Sequence, residues 1–267
     1  MLDSYGRNIH YLRVSVTDRC NLRCTYCMPA EGVPFILHER ILRYEQIGSI
    51  CQTAAKMGFD KIRLTGGEPL VRKGIVELVS IIRKIQGIET LSMTTNGTLL
   101  APLAAELAAR GLSSVNISLD TLDPAQYSLL TRGGKVQDAI AGIQAARVAG
   151  LPVKLNVVVS TTDSASNGDL PAIEAFARKE GCTVQTIRYY RLDEPKYDDS
   201  SYMRPPPCGD CNRIRLLSTG EFKPCLHSDL SVPVDFSNIE QSIRDCVNLK
   251  PSCGQSAAQH LVSAIGG

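Results

Sequence analysis

The sequence predicts an α/β fold: a partial (βα)6 TIM-like barrel carrying a small C-terminal appendage. Three observations lead there. Short β-rich runs alternate with helical patterns from the start of the chain to about residue 190. Each run is separated from the next by a helix's worth of chain, which is the connection parallel strands require. Most runs are apolar on one side only, whereas strands of an open sheet covered on both faces read as nearly continuous apolar stretches.

The strand candidates are 11–17, 61–65, 90–95, 114–119, 153–160 and 184–190, and helical patterns fill 44–57, 74–85, 102–110, 137–149 and 171–179. In the first strand Leu12, Val14 and Val16 take one face while Arg13, Ser15 and Thr17 take the other. Ile62 and Leu64 oppose Lys61, Arg63 and Thr65; Leu91 and Met93 oppose Ser92, Thr94 and Asn96. Val115, Ile117 and Leu119 oppose Asn116, Ser118 and Asp120, and Leu155 and Val157 oppose Lys154 and Asn156. With helices over the apolar face, the polar face lines a lumen, and ligands are expected to enter at the C-terminal strand ends. A merely solvated face, or a register misplaced by one residue, is the competing account. Arg13, Arg63 and Lys154 come from different strands yet share this lumen, and converging cations suit a phosphate-rich ligand.

Directly after the first strand stand Cys20, Cys24 and Cys27, spaced Cys-x3-Cys-x2-Cys. Three thiolates leave one iron of a [4Fe-4S] cube open to an outside ligand. Structural zinc sites usually pair two such knuckles or add histidines, so zinc is the weaker alternative. Thr65-Gly66-Gly67-Glu68-Pro69 follows the second strand; its glycines allow close approach to the backbone, and the Glu68 carboxylate can accept from an ammonium group. Together, the Cys20–Cys27 run and Gly-Gly-Glu-Pro resemble the signature of the radical S-adenosylmethionine (SAM) enzymes. That resemblance implies a cluster whose open iron is chelated by SAM and whose electron splits SAM to a 5'-deoxyadenosyl radical.

A break in composition spans 190–207, ending in Pro205-Pro206-Pro207, and suggests a linker dividing residues 1–190 from 191–267. Beyond it lie Cys208, Cys211 and Cys225, with a hairpin expected to turn at Ser218-Thr219-Gly220 and fold Cys225 back beside the other two. Strand parity puts Arg213 and Arg215 on the same side as Cys211. A zinc ribbon with Cys246, Cys253 or His227 as fourth ligand is the alternative for this segment. Cys51 and Cys182 read as buried thiols.

The run Cys208-x2-Cys211-Asn-Arg213-Ile-Arg215-x9-Cys225, with Ser263-Ala-Ile-Gly266-Gly267 at the end, resembles the MoaA family, the GTP 3',8-cyclases of molybdenum-cofactor biosynthesis. The resemblance implies two [4Fe-4S] clusters, on Cys20, Cys24 and Cys27 and on Cys208, Cys211 and Cys225. It implies SAM contacts from Tyr26, Gly66, Gly67, Glu68, Asn96, Ser118 and Tyr190. GTP contacts would come from Arg13, Arg63, Thr94, Lys154, Arg213 and Arg215, with Arg213, Arg215 and the Gly266-Gly267 tail serving catalysis. The family's usual Arg and Met at the sixth strand are replaced here by Gln185 and Tyr190, and its connection before the second cysteine set is longer. The expected activity is conversion of GTP to (8S)-3',8-cyclo-7,8-dihydroguanosine 5'-triphosphate. Expected partners are GTP, an electron donor such as flavodoxin or ferredoxin, and the downstream cyclic pyranopterin monophosphate synthase; a homodimer stays open. A radical SAM enzyme acting on a peptide and a non-catalytic iron-sulfur or zinc protein are the rival readings.

Composition sets the remaining bounds. With 43% hydrophobic residues, 21% charged residues and a formal net charge of +2, the chain carries no broad basic surface for nucleic acid. It has no apolar run of membrane-spanning length and no N-terminal leader pattern, so a cytoplasmic, reduced setting is expected for its ten cysteines.

Overall fold

The computed structural model describes residues 1–34, 36–159, 169–196 and 206–257. Six strands, β1 (Tyr11–Ser15), β2 (Lys61–Thr65), β3 (Thr90–Thr95), β4 (Ser114–Ser118), β5 (Val153–Val159) and β6 (Thr183–Arg188), lie side by side in chain order and pair in parallel. Helices α1 (Tyr44–Lys56), α2 (Ile75–Arg83), α3 (Ala104–Ala109), α4 (Pro124–Thr131), α5 (Val136–Val148) and α6 (Leu170–Glu180) connect them. The alternation is the expected one, with strand ends one or two residues shorter than read from sequence at β1, β4 and β6.

The apolar faces are where strand parity places them. Leu12, Val14, Ile62, Leu64, Leu91, Met93, Val115, Ile117 and Leu155 are all fully buried against the helices. Each such side chain contributes about 1.5–3 kcal/mol relative to exposure, so a slip by one residue, which would turn them into the lumen, is heavily disfavoured. The register therefore fixes which side chains point inward.

The C-terminal segment extends the same sheet. Strand β7 (Arg213–Leu216) pairs in parallel with β1, and β8 (Glu221–Lys223) and β9 (Val232–Pro233) follow as antiparallel neighbours. The hairpin turns at Gly220, whose φ of 87° suits glycine. Helix α7 (Ile239–Asn248) packs Ile243, Cys246 and Val247 into the core shared with the first six strands. Among the described residues the sheet has nine strands in the order β6-β5-β4-β3-β2-β1-β7-β8-β9, with β6 and β9 at its edges.

Two helices go beyond the sequence reading. α4 buries only Tyr127 and Thr131, so it carries no apolar stripe; its start is set by Asp123, whose carboxylate accepts from the Gln126 amide, and by Pro124 in the first turn. α7 lies past residue 190, where the expected alternation had ended.

Candidate active site

The register of three adjacent strands builds the centre of the lumen. Arg13 on β1 stands opposite Arg63 on β2 and Arg215 on β7; one step back, Tyr11 stands opposite Lys61 and Arg213. Two rows therefore cross the lumen face, Arg63–Arg13–Arg215 and Lys61–Tyr11–Arg213. Like charges directly opposite one another destabilise a sheet, so this arrangement costs the apo fold free energy and calls for an anion. Burial lowers the affinity of Arg13 for its proton, and Arg215, Arg63 and Arg213 lower it further. Burial pulls the Tyr11 phenol upward, but Arg13, Arg63, Arg213 and Lys61 together bring it down to about 8.

Thr94, Asn116, Lys154, Asn156 and Gln185 complete the walls of this cationic cavity. Arg63 donates to Thr94 Oγ1 at 3.2 Å. Asn156 Oδ1 accepts from Asn116 at 3.2 Å and from Gln185 at 3.0 Å. Gln185, standing where the MoaA family usually has Arg, is thus part of an amide network rather than a further cation.

At the C-terminal strand ends lies a cavity of about 200 Å³ lined by Cys20, Cys24 and Cys27. Tyr26, Gly66, Gly67, Glu68, Asn96, Ser118 and Tyr190 border it as well. Burial, with mutual repulsion among the thiols and Asp120, pushes Cys24 up to about 12; burial and Cys20 do the same for Cys27. The Tyr26 hydroxyl donates to Asp120 Oδ2 at 2.6 Å, while the Val158 amide donates to Oδ1 at 2.8 Å, so the ring is held beside the cysteine loop by a half-buried carboxylate.

Glu68 is 1% exposed. Its Oε1 accepts from Leu70 N at 3.0 Å and Thr95 Oγ1 at 2.7 Å, and its Oε2 accepts from Asn96 N at 2.6 Å. A carboxylate has about four acceptor positions, so three go to tying the exits of β2 and β3 together and one remains for a ligand. Burial raises Glu68 to about 7 against these hydrogen bonds. The two glycines before it serve the chain's own backbone first: a Cβ on Gly66 would lie 2.5 Å from Thr17 O, and one on Gly67 2.3 Å from Arg19 O. Their absence of side chains lets the Gly-Gly-Glu-Pro loop pair with the segment leading into Cys20, through Gly67 N to Thr17 O and Glu68 N to Arg19 O, both 2.8 Å. The sequence reading had assigned that space to a ligand.

The second cysteine set lines a smaller cavity of about 70 Å³ with Arg7, Lys196, Arg213, Arg215, His227 and Lys250. Its electrostatics differ in sign. Lys196 Nζ lies 3.2 Å from Cys208 Sγ, and Lys250 Nζ lies 3.5 Å from Cys211 Sγ. Burial opposes ionisation of Cys211, yet Lys250 and the Arg213 amide and guanidinium bring it below the ordinary thiol value.

Of the alternative fourth ligands, Cys246 lies in the hydrophobic core and does not border this cavity. Cys253 Sγ is 3.2 Å from Cys208 Sγ. His227 borders the cavity with Nδ1 directed at Glu194 O at 3.3 Å, while its buried Nε2 has no hydrogen-bond partner among the described residues.

Among the described residues no three His, Cys, Asp or Glu side chains form a compact metal-binding group. A cube instead spreads three thiolates over three of its corners, and each triad lines one cavity from separate positions, which fits that group.

The three cavities adjoin one another. Arg13, Thr94, Asn156 and Tyr190 border both the first thiol cavity and the cationic one; Arg213, Arg215 and Leu226 border both the cationic one and the second thiol cavity. Every site residue read from sequence within the described portion falls on one of the three, and Gly266 and Gly267 lie outside the described residues. The thiol cavity opens at the C-terminal strand ends, as expected, whereas the cationic one runs back to Tyr11 and Lys61 at the strand starts. Sequence reasoning missed Tyr11 and Lys61, although both share the parity of Arg13 and Arg63. It also missed the anchoring role of Asp120, and Lys196 and Lys250, for which no local signal exists.

Comparison with known proteins agrees with this geometry. The Radical SAM superfamily profile matches residues 14–166. A GTP 3',8-cyclase of Peptoclostridium acidaminophilum is 40% identical, the match covering 87% of this chain and 85% of the relative. One from Geobacter sulfurreducens is 38% identical over 100% of this chain and 99% of the relative. In fold the chain is similar to Streptococcus suis SuiB bound to precursor peptide SuiA, with a TM-score of 0.66 at 16% identity; the match covers 83% of this chain and only 60% of SuiB. The chain belongs to the radical SAM superfamily and, within it, to the GTP 3',8-cyclase family.

Proposed function

We propose that this chain converts GTP to (8S)-3',8-cyclo-7,8-dihydroguanosine 5'-triphosphate, the first ring-forming chemistry of molybdenum-cofactor biosynthesis. The observation that carries the reading is the buried cationic chamber lying between two three-cysteine cavities and sharing walls with both. A peptide substrate offers the facing arginine rows no comparable density of negative charge.

Cys20, Cys24 and Cys27 would hold one [4Fe-4S] cluster and Cys208, Cys211 and Cys225 the other. Bound at the first triad, a cluster supplies the electron that splits SAM and so provides the carbon radical able to take hydrogen from C3' of GTP. Tyr26, Gly66, Gly67, Glu68, Asn96, Ser118 and Tyr190 shape the SAM cavity around that triad. Arg13, Arg63 and Lys154 receive the triphosphate, each charge-assisted hydrogen bond being worth roughly 1.5–3 kcal/mol. Thr94 holds the Arg63 guanidinium toward the chamber.

The chain's own contribution to the reaction is placement. Anchoring the triphosphate between the triads turns C3' toward one and the guanine toward the other, converting an encounter into an intramolecular geometry. A substrate filling the chamber would displace water that could quench a radical. Arg213 and Arg215, at the boundary with the second triad, are positioned for the guanine end of the substrate and for the carbon radical after ring closure. The resemblance adds the Gly266-Gly267 tail as a further contributor, and reductant from a flavodoxin or ferredoxin in the cytoplasm.

Anaerobic reconstitution followed by incubation with SAM and dithionite tests the reading. About eight irons per chain are expected, as two four-iron cubes, with 5'-deoxyadenosine forming much faster when GTP is added and the cyclised nucleotide appearing beside it. Equal rates with and without GTP would overturn the substrate assignment.

A further inference from the structure

Lys250 lies just beyond α7 and is 3% exposed. An ammonium group has three N–H donors and no acceptor. Here all three have partners: Arg213 O at 2.8 Å, Pro224 O at 2.9 Å and Cys211 Sγ at 3.5 Å. The two carbonyls belong to opposite arms of the β7–β8 hairpin, one following Cys211 and one immediately preceding Cys225. A neutral amide would satisfy those carbonyls at far lower burial cost. The third contact, to a sulfur that must be a thiolate when it binds metal, is the one that benefits from a cation.

The surroundings of the first triad are mixed in charge: Arg23 acts on Cys20 and donates to its carbonyl oxygen at 2.6 Å. The sulfur contacts there come from neutral donors, Leu22 N at 3.4 Å and Asn96 Nδ2 at 3.9 Å from Cys20. The carboxyls of Glu68 and Asp120 oppose the thiolates there, against the guanidinium of Arg23. Hydrogen bonds to cluster sulfurs and nearby positive charge stabilise the reduced, more negative state and raise the reduction potential.

We infer that Lys250 is a positioning residue that holds Cys211 and sets the reduction potential of the centre on Cys208, Cys211 and Cys225 above that of the centre on Cys20, Cys24 and Cys27. Lys196, beside Cys208, acts in the same direction. The inference rests on the reading that the second triad carries an iron-sulfur centre. Its consequence is an order of filling: an electron delivered to the protein settles at the second triad first, and the first is reduced only under a stronger reductant.

The test uses the full chain with Cys20, Cys24 and Cys27 replaced by alanine, so that only the second centre contributes, with Lys250→Gln and Lys250→Arg compared in that background. Iron and sulfide are counted, and the potential is read by electron paramagnetic resonance during a redox titration. With about four irons retained, Lys250→Gln is expected to lower the reduced-to-oxidised ratio at a fixed ambient potential roughly tenfold, a shift of about 59 mV for one electron. Lys250→Arg is expected to stay near the parent. Should Lys250→Gln lose the centre while Lys250→Arg keeps it at the parent potential, the need for a cation is still supported. An unchanged potential in Lys250→Gln, or loss of the centre from both variants, would reduce Lys250 to a strut and overturn the inference. A parent lacking iron altogether would instead overturn the cluster reading beneath it.

Discussion

The two cysteine triads present the same number of thiols to opposite electrostatic surroundings. Cys20, Cys24 and Cys27 sit above the C-terminal ends of the strands with the carboxyls of Glu68 and Asp120 nearby, and Cys24 and Cys27 are pushed up to about 12. Cys208, Cys211 and Cys225 sit on the hairpin among Lys196, Lys250, Arg213 and Arg215, and Cys211 is drawn down. Under the proposed function, the difference teaches how adjoining cavities could sort two ligands. On that reading the sulfonium and ammonium of SAM, which outweigh its one carboxylate, would favour the acidic side and a nucleoside triphosphate the basic side. Between them stands Arg13, bordering both the first thiol cavity and the cationic one.

Removing the triads one at a time separates their roles most sharply. Alanine at Cys20, Cys24 and Cys27 is expected to abolish 5'-deoxyadenosine formation, a loss of at least roughly a thousandfold if the cluster is the only source of the cleaving electron. Alanine at Cys208, Cys211 and Cys225 is expected to leave about four irons and slow SAM cleavage while removing stimulation by GTP. Full GTP stimulation without the second triad would mean that the two ends do not divide the ligands at all.

Arg13→Met strikes the middle of the comparison and is expected to move two measurements in opposite directions. Losing a charge-assisted phosphate contact of roughly 1.5–3 kcal/mol weakens GTP binding about 10- to 100-fold, readable by calorimetry. Relieving the repulsion among Arg63, Arg13 and Arg215 raises the melting temperature of the ligand-free chain. A variant that binds weakly and also melts earlier would show that Arg13 serves packing rather than anion capture.

What was legible in the sequence follows period and parity. Alternation along β1, β2 and β5 was enough to place Arg13, Arg63 and Lys154 in one lumen, because a period of two with one buried face admits a single register. The same rule applied to Tyr11 and Lys61 would have extended the cationic row to the strand starts. Cysteine spacing located both triads. Lys250 was not legible: its partners are two backbone carbonyls and a thiol brought together by a hairpin and a helix, and no sequence period connects them. Gly66 and Gly67 were legible as glycines that something must approach, but only the fold shows that Thr17 and Arg19 do so first.

Glu68 offers a pH test confined to the acidic end. Its folded value of about 7 lies above the ordinary 4.5, so between those values the folded chain binds more protons than the unfolded one, and this residue's contribution to stability falls as pH rises. The stability of the natural chain minus that of Glu68→Gln should therefore decline from about pH 4.5 to about pH 7 and then level, as measured by urea titration across the range. A difference independent of pH would mean that the hydrogen bonds from Leu70, Thr95 and Asn96 already hold Glu68 ionised.

The smallest effect is spectroscopic and reports on the basic end directly. Tyr11 has its phenol brought down to about 8 by Arg13, Arg63, Arg213 and Lys61. Phenolate absorbs in the near ultraviolet, so Tyr11 should titrate before Tyr26, Tyr44, Tyr127 and Tyr190, which burial pushes upward. A bound triphosphate neutralises the cations that favour the phenolate, so GTP should carry the transition upward while SAM alone leaves it in place. Because the readout needs neither electron nor radical, it asks only where the polyanion sits. If SAM and GTP shifted the transition equally, the division of the chamber into an acidic and a basic end would fail at the point where the charge is densest.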